Sequence, residues 1–180
     1  IVRSDGEYIA TGVSGLDLTG ENAGGIWTQP IFAGTAPSGL LTEGGTAPNA
    51  RNGEAIAASD EWIAIGSPGE QDTCNPDATG SVRMLRTNSG EWVTTEIITP
   101  EPGVNGSGYG AAIAINADTM AITMPGYIGE LFLSENGAVM MYERSGSRWV
   151  LTQTLEGSIA GEGFGQSIAL RGEHLVVGEP

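Results

Sequence analysis

The chain has 180 residues and a formal net charge of −15, from 22 acidic side chains against 7 basic ones, all of them arginine. That balance repels nucleic acid and anionic membrane surfaces, so neither is expected as a partner, and no apolar run approaches the ~18 residues of a membrane helix. The 29 glycines beside 6% aromatic residues point to many tight turns between short elements.

In chain order, the first predicted elements are Ile1-Val2-Arg3-Ser4 and Ile9-Ala10-Thr11-Gly12, two short runs separated by polar residues. The same pairing returns after Asn52-Gly53, where Ile56-Ala57-Ala58 and Ile63-Ala64-Ile65 flank Ser59-Asp60-Glu61 and run on into Gly66-Ser67-Pro68. Such pairs predict tight hairpins, and apolar runs without polar alternation predict strands covered on both faces. The loop Glu70-Gln71-Asp72-Thr73-Cys74-Asn75-Pro76-Asp77 follows and carries the only cysteine, so an internal disulfide is excluded and Cys74 is expected to be an incidental exposed thiol. A third strand is predicted from Gly80 through Leu85 and, after the turn Asn88-Ser89-Gly90, a fourth from Trp92 to Thr95.

The next copy opens on Tyr109-Gly110, pairs Ile113-Ala114-Ile115 with Met120-Ala121-Ile122 around Asn116-Ala117-Asp118, and reaches Thr123-Met124-Pro125. Its third and fourth strands are predicted over 137–142 and 149–152, joined by Ser145-Gly146-Ser147. The last copy is the complete one: Phe164-Gly165, then two strands around Arg171-Gly172-Glu173, then Gly178-Glu179-Pro180. With Ile1, Ile56, Ile113 and Ile168 as markers the copies are spaced by 55, 57 and 55 residues, which gives repeats at 1–55, 56–112, 113–167 and the start of another at 168–180. No amphipathic stripe of helical period persists over three turns. Four antiparallel strands per unit at this period predict an all-β chain of propeller blades, about three of them present, with the small apolar Ile-Ala-Ile strands innermost.

The phrase Phe164-Gly165, strand, turn, strand, Gly178-Glu179-Pro180 resembles the FG-GAP repeat of integrin-α-type β-propellers and their bacterial relatives. Tyr109, Gly110 and Pro125 carry the motif in the third copy, Gly53, Gly66 and Pro68 in the second, and Gly12 stands without a proline in the first. The resemblance implies a propeller of about seven blades and an extracellular or cell-surface interaction or adhesion module. Three blades fall short of a ring, so the chain is expected to be a piece of a longer polypeptide whose remaining blades complete it, or to pair with a second copy; stacking into a fibre is a further arrangement that open faces allow.

Many family members hold calcium in an Asp-x-Asp-x-Asp-Gly turn, but the turns here carry too few carboxylates, so no metal or other cofactor is expected. Glu70, Asp72 and Asp77 supply oxygens enough for weak cation binding, yet their spacing matches no ligand pattern and a solvated acidic loop is expected. His174, the only histidine, takes the place of Tyr8, Trp62 and Thr119 in the other copies and is expected to fill a surface position rather than act as a base. Trp27, Trp92 and Trp149 are expected to pack between blades, whereas Tyr8 and Trp62, at varied positions, are expected as exposed ligand contacts. With no catalytic constellation an enzyme is not expected, and the resemblance implies non-enzymatic binding of a protein or glycan partner. The alternative is a structural domain of a surface appendage or secreted assembly, contacting copies of itself.

Overall fold

Short runs of isoleucine, alanine and methionine have no face to offer water, so they become stable only as strands sandwiched between two neighbours. The computed structural model describes residues 2–4, 8–17, 20–30, 40–41, 47–59, 62–71, 78–88, 91–102, 104–129 and 135–180. Among these the chain is all-β, in several sheets that do not close on themselves, and no helix is long and apolar enough to cross a membrane.

The first sheet runs in chain order through β1 (Val2–Ser4), β2 (Tyr8–Val13), β3 (Gly25–Pro30) and β4 (Leu40–Leu41). The second joins β5 (Ile56–Ser59), β6 (Trp62–Gln71), β7 (Ala78–Asn88) and β8 (Glu91–Ile98), again antiparallel. After β9 (Asn105–Tyr109), the third sheet is built from β10 (Ile113–Asn116), β11 (Thr119–Met124), β13 (Ala138–Ser145) and β14 (Arg148–Glu156), with the short β12 (Gly126–Ile128) leaving β11. The chain ends in the hairpin β15 (Ser167–Arg171) and β16 (His174–Gly178).

The hairpins keep the register expected of the copies. Ser4 faces Tyr8, Ser59 faces Trp62, Asn116 faces Thr119 and Arg171 faces His174, so these residues do occupy one equivalent position. Successive first strands adjoin: β1 contacts β5, β5 contacts β10, and β10 contacts β15. Their turns are tied as well, since the Ala117 amide donates to Ser59 Oγ at 2.9 Å and Asn116 Nδ2 donates to the Gly172 carbonyl at 3.4 Å.

The second sheet is buried on both faces. Along β6 and β7, Ile63, Ile65 and Leu85 turn toward Ala10 and Ile26 of the first sheet, while Trp62, Ala64, Val82 and Met84 turn toward Met120, Ile122 and Met140 of the third. This is the period-2 alternation of a pleat with apolar residues in both phases. Methionine dominates the second interface, where an unbranched side chain fills the gaps between two twisted surfaces.

One further ladder joins two of the units. The start of β7 pairs in parallel with β9, which in turn pairs antiparallel with β12, so the second unit is laced to the third. The glycine-rich run Asn105-Gly106-Ser107-Gly108 lies on β9, and Gly106 is there for close approach: a Cβ on it would overlap the carbonyl of Gly126 across the ladder.

Candidate functional site

The residues of the recurring phrase meet at the junctions between units. Gly53, Gly110 and Gly165 each donate their amide to a carbonyl on the second strand of the same hairpin: Gly66 at 2.9 Å, Thr123 at 2.8 Å and Gly178 at 3.1 Å. All three adopt φ near +85°, a left-handed backbone that side chains resist. The hydrogen bond fixes the chain's entry into the hairpin, which explains why a glycine precedes the first strand and a small residue closes the second.

A second set of glycines explains how one unit is pressed on the next. Gly24, Gly80 and Gly137 lie at the entries to the third strands, all at positive φ, and a Cβ on any of them would overlap the carbonyl oxygen of Asn52, Tyr109 or Phe164 respectively, where the following unit opens. Gly12 and Gly66 lie equally close to the carbonyls of Gly53 and Gly110. Thr123 takes that place at the third junction, 3.3 Å from the position a Cβ would have on Gly165. The same contact therefore recurs at three consecutive junctions. Sequence reading picks out the motif glycines but assigns no junction role to Gly24, Gly80 and Gly137.

The residue before each motif glycine decides how its junction is filled. Tyr109 is fully buried, and its hydroxyl meets that of Tyr142 at 2.7 Å. Asn52, at the equivalent place, accepts from Ser67 Oγ at 2.9 Å and leaves its Nδ2 without an acceptor. Phe164 is half-buried, its Cβ close to Gly137 and Gly157 of the third unit. Pro68 is buried within β6, Pro125 is half-buried after β11, and Pro180 is exposed.

Burial pushes both phenols up: Tyr109 well above its ordinary value, with Tyr142 beside it adding to the shift, and Tyr142 to about 12. The folded chain thus binds these two protons more tightly than the unfolded chain. Stability is expected to be flat below pH about 9 and to fall from pH about 10 upward, by as much as ~1.4 kcal/mol per pH unit for each phenol. Urea titrations across this range check it; the variant Y109F/Y142F should flatten the alkaline limb, and an unchanged limb would remove the tyrosine pair as its cause.

The remaining expected site residues are scattered. Trp62, expected as an exposed ligand contact, is 3% exposed. It packs edge-on against Trp149 with ring centroids 6.0 Å apart, under the guanidinium of Arg86 at 5.5 Å. The correction has a simple cause: sequence variation at that register position signalled a free surface, but the second sheet is covered on both sides. Tyr8 opens β2 opposite Pro30. Trp149 is buried and Trp92 half-buried at the starts of β14 and β8, whereas Trp27 lies on β3, opposite Thr11, and is 37% exposed, so the three tryptophans do not share one register. His174 is exposed. Glu70 accepts a hydrogen bond from Ser81 Oγ, while Asp72, Cys74 and Asp77 lie outside the described residues.

No protein-family model matches this chain, and no curated protein does. Its chemistry must therefore be read from its own surfaces. On the loop side a cleft of about 350 Å³ is lined by Arg51, Ser107, Glu135, Gly163 and Gln166, residues contributed by successive units. Arg51 is held there by Glu54 at 3.1 Å. A second opening, of about 460 Å³, lies between β8 and β14.

Proposed function

We propose that the sheets are successive blades of an FG-GAP-like, integrin-α-type propeller, and that the chain serves as an extracellular, non-enzymatic interaction module for a protein or glycan partner. The observation that carries this reading is the repeated junction. A constant contact between consecutive units implies a constant rotation from one to the next, and four-stranded sheets related in that way curve around a common axis with their first strands innermost. The adjoining β1, β5, β10 and β15 suit that axis. The cleft at the loop side draws on several units, as a binding mouth does when loops gather at one end of the blades.

Further blades, from the same polypeptide or from a second copy, would cover the outer faces. The hairpin β15–β16 supports this need, because Val176 is 67% exposed on a strand whose counterparts are buried. That same exposure favours the alternative, a structural domain of a surface appendage or secreted assembly that contacts copies of itself. Size-exclusion chromatography with negative-stain imaging separates the two. Discrete rings support the binding module, ordered polymers the structural role, and a screen of common glycosides should show no hydrolysis in either case.

A further inference from the structure

We infer that the groove between β8 and β14 docks an extended peptide segment in which lysine or arginine alternates with aliphatic residues. The inference rests on the interaction-module reading and deepens it by naming the partner's chemistry. Both walls are the last strands of their sheets. An extended segment laid between them meets edge-strand backbone, the feature that β-strand addition uses. The walls also present aliphatic side chains to solvent: Ile97 is 51% and Val150 49% exposed, over a floor made by Tyr142 and Trp149.

The charge of the groove selects the other half of the peptide. Glu96 and Glu101 both line it. One oxygen of Glu96 accepts from the Trp149 amide at 3.0 Å, and the other lies 3.9 Å from Arg148 Nε, too far for a hydrogen bond. Arg148 has an 82% exposed side chain, so it holds that carboxylate loosely and a cationic side chain can displace it. The chain's net charge of −15 attracts cationic segments and repels acidic ones.

The test is a titration of the chain with a ten-residue alternating lysine-valine peptide, followed by calorimetry and tryptophan fluorescence at low and high ionic strength. Binding is expected, weakened about tenfold by E96Q/E101Q and by added salt, while a glutamate-valine peptide does not bind. The conservative amide keeps an acceptor for the Trp149 amide, and circular dichroism establishes that the variant is folded. Ile97→Thr with Val150→Thr, both exposed, should also weaken binding. E162Q/E173Q removes the same charge elsewhere and should leave affinity unchanged. Absent binding, equal affinity in E96Q/E101Q, equal weakening by E162Q/E173Q, or capture of a neutral oligosaccharide in the groove instead would each overturn the inference. Failure of the peptide while the chain still forms discrete rings removes this groove alone; loss of the rings with peptide binding intact removes the propeller reading alone.

Discussion

Gly80→Ala is expected to cost at least about 4 kcal/mol, a large share of the stability of an ordinary domain. Two effects add. Gly80 has φ +112°, which an alanine adopts only with strain of about 1–3 kcal/mol. The new methyl would also overlap the Tyr109 carbonyl and stand 2.7 Å from its nitrogen, so the backbone of the next unit must move. That movement breaks the pairing of Gly80 with Tyr109 and disturbs the fully buried ring. Gly146→Ala is the control. It too has positive φ, at +66°, but nothing lies within 4 Å of its Cβ position, and the cost should stay near 1–2 kcal/mol. Urea midpoints of the two variants measure the difference; equal losses would mean that backbone strain alone, and not close approach between units, makes the glycine necessary.

Trp62→Ala should cost about 3–5 kcal/mol by leaving a cavity between the second and third sheets. Loss of the edge-on contact with Trp149 contributes about 0.5–1.5 kcal/mol of this. The expected signature is a lower unfolding midpoint with no specific loss at any one ligand. A variant that keeps its midpoint and loses only partner binding would return Trp62 to the surface, against its 3% exposure.

These two residues also mark what sequence reading reaches. Hairpins and their register were legible because Ile-Ala-Ile runs around polar turns have one economical conformation, and the equivalence of Tyr8, Trp62, Thr119 and His174 follows from spacing. The turn after Asn116 falls where expected for the same reason. Burial of Trp62 was hidden, since one tryptophan reads alike on a free face or between two sheets, and the partner surface lies more than 50 residues away along the chain. The ladder of β9 and β12 was hidden by glycine itself. Gly106 and Gly126 look like turn residues, yet they sit where two backbones come too near for a side chain. The Tyr109 and Tyr142 hydroxyl pair joins residues from separate strands, and nothing in either local segment announces it.

The claim on which the rest depends is that consecutive units stack in chain order with their first hairpins side by side. Cysteine pairs placed in a Cys74→Ser background test it directly. Ser59→Cys with Ala117→Cys joins the turns of neighbouring units, where the native hydrogen bond is 2.9 Å, and should oxidise readily to an intramolecular disulfide with stability retained. Ser59→Cys with Glu173→Cys joins units two apart and should stay reduced. Rapid closure of the second pair, or none of the first in a folded chain, would contradict the arrangement.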